Sequence, residues 1–192
     1  MTEEPSDTDA ARPARFAAGD RAAAAELART LGPRAFAVAL RTLGNRAEAE
    51  EVAQEALLRL WRMAPDWQSG NAKVSTWLYR VVLNLCTDRL RRNRGGMARL
   101  DAVPDPVDPA PTAPERMQER ARVEALQAAL MDLPDRQREA VVLRHIEGLA
   151  NPEIAAAMDV SVEAVESLVS RGKRALARVL AGRRDELGYD DG

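Results

Sequence analysis

The stretch NPEIAAAMDVSVEAVESLVSRGKRAL, Asn151 to Leu176, decides the fold. Asn151 is placed to cap a helix, and Pro152 suits its first position, where a missing N–H costs nothing. Ile154, Ala157 and Met158 then fall on one face. Asp159-Val160 makes a tight turn, and Ser161 caps a longer helix predicted from Val162 to about Ala181. Val162, Val165, Leu168, Val169, Leu176 and Leu180 are its inward positions. A short helix, a tight turn and a capped longer helix form a helix-turn-helix unit. The second helix of such a unit can lie in a major groove with its first turns at base edges. Those turns offer Ser161, Glu163, Glu166, Ser167 and Ser170, and the later turns offer Arg171, Lys173, Arg174 and Arg178. Short polar groups and a Glu can read bases, the Glu accepting from a cytosine amino group, and the basic end suits phosphates. An ordinary helical hairpin with solvated arginines would show the same spacing.

Working back towards the N-terminus, helical periodicity covers Val123, Leu126 and Leu130. Leu133-Pro134-Asp135 punctuates it, and a further helix is predicted from about Asp135 to Ile146, ended by Gly148. Before this half lies an extended acidic linker, 95–118. It opens on Gly95-Gly96 and carries Pro104, Pro106, Pro109, Pro111 and Pro114. The first half reads as helices over Ala14–Leu31 and Pro33–Leu43, broken by Gly32-Pro33, then about Ala47–Met63 and Val74–Arg92. In the third of these, Ala49, Val52, Ala53, Ala56 and Leu60 make an apolar stripe spaced three and four apart. In the fourth the stripe is Val74, Trp77, Leu78, Val81, Val82 and Leu85. The expected architecture is all-α: a disordered leader (1–12), a four-helix domain (13–94), the linker (95–118) and a helix-turn-helix domain (119–187).

Composition supports this class and excludes others. Ala is the commonest residue, with 36 copies, and aromatics are 4%, so helices can pack closely but no wide aromatic core exists. No apolar run is long enough to span a bilayer, and the acidic N-terminus lacks a signal-peptide pattern, which points to a cytoplasmic protein. One Cys (Cys86) and one His (His145) exclude disulfide frameworks and His-rich metal sites. No Gly-rich phosphate loop and no nucleophile–base pair is present, so no enzyme, cofactor or metal is implied. The formal net charge is -2, but it hides segregation. Arg80–Arg99 holds six Arg against Asp88 alone, and Arg171–Arg184 holds six basic residues and no acid. Local, directed anion binding follows.

Two further constellations stand in the first half. Trp67, in a polar loop, and Trp77 and Tyr79 lie near Arg80, Asn84 and Arg91. Exposed aromatics beside Arg can stack on unpaired bases at roughly 1–3 kcal/mol each, though Trp77 sits on the apolar stripe and suits the core. Asn84 can capture an extruded base by hydrogen bonding. The outer face of the third helix carries Glu50, Glu51, Gln54, Glu55, Arg59 and Arg62, with Leu57, Leu58 and Trp61 outside the main stripe. That face is either solvated or a docking surface.

The segments Asn45–Arg62 and Ser75–Asn84 resemble region 2 of bacterial sigma factors of the extracytoplasmic-function (ECF, group IV) type. Leu133 to Leu176 resembles region 4. The likeness covers roughly residues 13–94 and 119–182, in family order and without a region 3. It implies a protein that binds core RNA polymerase and directs promoter-specific initiation. Glu51, Gln54, Glu55, Arg59 and Arg62 would dock on the clamp helices of the largest subunit. Trp67, Gln68, Ser69, Asn71 and Lys73, with Asn84, would capture a flipped base of the -10 element, while Arg80, Arg91 and Arg92 hold backbone. The helix from Val162 would read the -35 duplex, and its domain would also grip the polymerase flap. An anti-sigma factor is the implied regulatory partner. Glu166 stands where family members often carry Arg, and Asn71-Ala72-Lys73 replaces a commoner acidic stretch, so a relative's promoter code does not transfer. The alternatives are a free-standing helix-turn-helix regulator and a sigma-like decoy.

Overall fold

The computed structural model describes residues 15–16, 20–64, 67, 73–94 and 114–181. These form helices α1 (Arg21–Leu43), α2 (Arg46–Met63), α3 (Val74–Arg94), α4 (Pro114–Met131), α5 (Asp135–Val141), a π segment (Val142–Ile146), α6 (Asn151–Met158) and α7 (Val162–Ala181). No strand occurs among the described residues, and the all-α expectation holds. The leader and most of the expected linker lie outside the described residues, and α4 already begins at Pro114, inside the stretch read as linker.

The break expected at Gly32-Pro33 is corrected: α1 runs through Pro33 without interruption. An interior proline forfeits one backbone hydrogen bond and costs about 3 kcal/mol. Here Leu27, Leu31, Ala35, Val38, Ala39 and Leu43 continue one buried stripe on both sides of the proline. Burial of a large aliphatic side chain contributes about 1.5–3 kcal/mol, so tertiary packing outweighs the local penalty. The helix starts later than predicted because Asp20 caps it, accepting from the N–H of Ala22 (2.8 Å) and Ala23 (3.2 Å). Arg15 holds that carboxylate from the other side at 2.6 Å. Gly44 ends α1 in the left-handed region (φ 71°), a conformation that suits glycine. Asn45 Oδ1 then caps α2 by accepting from Glu48 N at 3.0 Å.

The α2 stripe is buried as read: Ala49, Val52, Ala53, Ala56 and Leu60. Small residues on both α1 (Ala35, Ala39) and α2 let these helices approach closely. On α3 the buried set is broader than the predicted stripe, adding Thr76, Tyr79, Leu83 and Cys86, while Trp77 and Val81 are half-buried. α1 is the spine: it packs on α2 and α3 and also on α4, α5 and the π segment of the second half. α3 packs on α6. One contiguous cluster of buried apolar residues runs from Val38, Val52 and Leu78 to Val142, Leu143 and Ile154. The two halves therefore meet through a shared dry core.

The second half is organised by buried charge. Arg138, 2% exposed, donates to Asp135 Oδ1 (2.8 Å) and to the carbonyl of Met131 (3.3 Å), joining the end of α4 to the start of α5. Burial pulls the Arg138 guanidinium below its ordinary range, and Asp135 opposes that shift. Arg136 reaches from α5 to the Met158 carbonyl (2.9 Å) at the end of α6. The cap of α6 is also corrected. Ala150, not Asn151, precedes the helix, and Glu153 Oε2 accepts from the Ala150 N–H at 3.0 Å. A carboxylate three residues into the helix satisfies the entry more directly than Asn151, which Pro152 draws into the first turn. Ser161 caps α7 as expected, its Oγ accepting from Ala164 N at 3.2 Å.

Candidate nucleic-acid and polymerase interfaces

α6 and α7 join through Asp159 in the left-handed conformation (φ 57°), Val160 and Ser161. A short polar Asp tolerates that conformation better than most non-glycine residues. Val165 is fully buried, while Val162, Leu168, Val169, Leu176 and Leu180 are half-buried. Ser161, Glu163, Glu166, Ser167, Ser170, Arg171, Lys173, Arg174 and Arg178 are all exposed. The Glu163 carboxyl is held below its usual range by its own backbone N–H and the Ser161 hydroxyl, so it is a committed acceptor at the start of α7. Arg171, Arg174 and Arg178 line an open cleft of about 660 Å³ with Gln137 of α5. Three guanidiniums on one groove wall suit phosphate oxygens.

Gly172 was missed by sequence reading. It is buried on the α5-facing side of α7, and a Cβ there would lie 2.6 Å from Val141 Cγ2 and 3.1 Å from the Gln137 carbonyl. The residue sets how closely the helix-turn-helix is packed, and so where the exposed face points. The only available signal was a glycine interrupting an otherwise strong helix pattern.

In the first half, Asn84, Arg91 and Arg92 are exposed on α3, and Arg80 is exposed beside them. Trp67 is corrected from the exposed aromatic to a half-buried one, its N–H donating to the Ala64 carbonyl (3.1 Å) and its ring packed against the core. Tyr79 is buried, and its hydroxyl donates to Glu147 Oε2 at 2.7 Å. Burial and that carboxylate push the phenol far above its ordinary value, so it stays neutral. Gln68, Ser69 and Asn71 lie outside the described residues. Lys73 and Arg80 are not bare: they pair with Glu153 (2.7 Å) and Asp159 (3.1 Å) of the helix-turn-helix half.

On α2, Glu51, Gln54, Arg59 and Arg62 are exposed and Glu55 is half-buried. Arg59 holds Glu55 at 2.7 Å and keeps its carboxyl below the usual range. Leu58 and Trp61 are 52% and 53% exposed, an apolar patch set among these charges. Such a patch has the composition of an interface centre with a polar rim. Among the described residues no acidic, His or Cys cluster could hold a metal ion, and no helix is long and apolar enough to cross a membrane.

The geometry defines a two-part, helix-turn-helix nucleic-acid-binding protein with a separate docking face. The Sigma-70 region 2 family model matches residues 27–95, and the Sigma-70 region 4 model matches residues 123–176. The ECF sigma factor SigE of Mycolicibacterium smegmatis is 37% identical over 190 residues, covering 95% of this chain and 72% of that protein. SigW of Bacillus subtilis is 30% identical over 171 residues, covering 84% of this chain and 91% of its own. Among solved structures, CnrH in complex with the cytosolic domain of CnrY superposes with a TM-score of 0.69 at 28% identity. The match covers 92% of this chain and 99% of that one. The RpoE–NepR complex from Bartonella quintana shares the fold, with a TM-score of 0.66 at 21% identity. The chain belongs to the sigma-70 family, in its ECF group, whose members are transcription initiation factors and not enzymes.

Proposed function

We propose that the chain joins core RNA polymerase through α2 and directs it to promoters carrying two separated elements. The exposed face of α7 is what supports the -35 assignment: one capped helix places polar base-reading groups first and phosphate-binding arginines after them. Ser161, Glu163, Glu166, Ser167, Ser170 and Arg171 face the bases, and Lys173, Arg174 and Arg178 face the backbone. The basic side of α3, with Asn84, Arg80, Arg91 and Arg92, binds the melted -10 strand together with the loop from Trp67 to Lys73. Glu51, Gln54, Glu55, Arg59 and Arg62 surround Leu58 and Trp61 on the polymerase clamp helices. The second half grips the flap. The protein works in the cytoplasm, without a cofactor. An anti-sigma factor is its regulatory partner, which the likeness to CnrH, solved with the cytosolic domain of CnrY, supports.

Run-off transcription tests this. The purified chain is added to sigma-free core polymerase on fragmented DNA from the source genome, and transcript 5′ ends are sequenced. New starts sharing two upstream elements are expected. Core binding without starts would favour the decoy. Specific duplex binding without polymerase, and no core binding, would favour a free-standing regulator.

A further inference from the structure

Lys73, Arg80, Thr87 and Arg94 stand seven residues apart, from the residue before α3 to its last turn. Seven residues are close to two helical turns, so the four share one stripe with rungs about 10 Å apart. Every rung meets a carboxylate of the helix-turn-helix half. Lys73 Nζ lies 2.7 Å from Glu153 Oε1, and Arg80 Nη2 lies 3.1 Å from Asp159 Oδ1. Thr87 Oγ1 donates to Glu139 Oε1 at 3.4 Å, and Arg94 Nη2 lies 2.8 Å from Asp135 Oδ2. Beside the second rung, the Tyr79 hydroxyl donates to Glu147, which Arg34 of α1 approaches to 3.9 Å. The middle of the ladder is dry and its ends are wet. The Glu139 and Glu147 side chains are 1% and 7% exposed, whereas those of Lys73 and Arg94 are 74% and 67% exposed.

We propose that this ladder is an internal nucleic-acid mimic: in the closed chain, carboxylates of the helix-turn-helix half occupy the cationic stripe of α3, and a single strand must displace them to bind. This rests on the assignment of α3 to the melted -10 strand. Carboxylate and phosphate oxygens accept from Lys and Arg in the same way, so one can stand in for the other. The exposed rungs are individually weak and screened by salt, so they can be exchanged for phosphates. The reading face of α7 stays exposed in the same closed form. Closure thus covers the strand-binding stripe and leaves the duplex-reading helix open. Strand binding and closure oppose each other reciprocally.

The test uses the full chain carrying Glu153→Gln and Asp159→Asn. Gln keeps an acceptor for the Ala150 N–H, and Asn tolerates the left-handed backbone at position 159. Dyes on Ala47→Cys and Ala181→Cys, both exposed, report closure by energy transfer, while Cys86 is buried and stays unlabelled. A fluorescein-labelled single-stranded oligonucleotide of mixed sequence reports strand binding by anisotropy on undyed protein. The double variant is expected to show lower transfer and to bind the oligonucleotide about threefold tighter or more. In the otherwise wild-type chain, unlabelled oligonucleotide, or salt raised from about 0.1 M to 1 M, should lower transfer. This arm holds even if the double variant misfolds. Unchanged transfer in every arm overturns the ladder. Lower transfer without tighter strand binding overturns the mimicry. Promoter-directed starts in the run-off assay alongside unchanged transfer would refute the ladder while leaving the -10 assignment standing.

Discussion

Replacing Gly172 by Ala tests how the helix-turn-helix is seated. On an exposed helix the change would gain about 0.5–1 kcal/mol from reduced backbone entropy. At this position the new Cβ falls 2.6 Å from Val141 Cγ2, 3.1 Å from the Gln137 carbonyl oxygen and 3.4 Å from Gln137 Cβ. Val141 is 2% exposed, so its methyl has no solvent to swing into. The carbonyl belongs to the α5 backbone and yields only if the helix moves. Overpacking of this kind costs about 1–3 kcal/mol. The net expectation is a loss of about 1–2 kcal/mol, which for a chain of this size lowers Tm by roughly 2–8 °C. Thermal melts followed by circular dichroism measure it, with urea titration checking that the m-value is unchanged. Val141→Ala in the Gly172→Ala background removes the nearest atom and should recover about 0.5 kcal/mol or more as a coupling energy. A higher Tm in Gly172→Ala, or no recovery in the double variant, would refute the close-contact account. Run-off output from a -35-dependent promoter should fall in parallel, because α7 must shift away from α5.

Four further outcomes are expected. Leu58→Ala with Trp61→Ala should leave Tm nearly unchanged, since both side chains are half-exposed, yet weaken core-polymerase binding about tenfold or more. Equal binding in a titrated pull-down would remove this patch from the interface. Arg171→Ala should lower promoter output by the equivalent of about 1–3 kcal/mol if the side chain holds a base edge, and unchanged output in quantitative run-off would exclude that contact. Burial pushes the Cys86 thiol up to about 12, so a maleimide should label it only after denaturation. Labelling of the native chain at neutral pH would contradict the packing. The Glu153 carboxyl is lowered by Lys73 and by the Ala150 N–H, so its stabilisation is complete above its ordinary value of 4.5 and is lost as pH falls through its folded value. Urea midpoints should therefore drop more steeply on acidification below 4.5 in the wild type than in Glu153→Gln. Parallel curves would refute the assignment.

The local features were legible where one helix face or one cap decided them. Ala49, Val52, Ala53, Ala56 and Leu60 could be read as buried because a 3.6-residue period leaves them no other face. Ser161 could be read as a cap because a hydroxyl before an apolar run has a specific donor to satisfy. Pro33 misled because its local cost is visible in the sequence and the burial of Leu31 and Ala35 on either side is not. Trp67 misled for a related reason: polar neighbours along the chain do not reveal the core it leans on. The stripe of Lys73, Arg80, Thr87 and Arg94 was present in the sequence, but its partners come from α5, α6 and the turn after α6. Only tertiary placement brings those carboxylates to it. Gly172 carried no pattern at all, since its role is the absence of a side chain at a crossing of two helices.

The π segment between Val142 and Ile146 holds one residue more per turn than its neighbours, with Glu147 N bonding to the Val142 carbonyl at 3.1 Å. Such a segment is equivalent to a single-residue insertion in a regular helix. Deleting one codon there would restore ordinary helical bonding and look harmless in an alignment. It would also turn everything downstream by about 100° around the helix axis. Glu147 would leave Tyr79 and Arg34, and the two reading helices would face away from their present direction. The rotational phase between the halves of the chain is thus encoded in the length of one turn, so indels here should be tolerated far less well than substitutions.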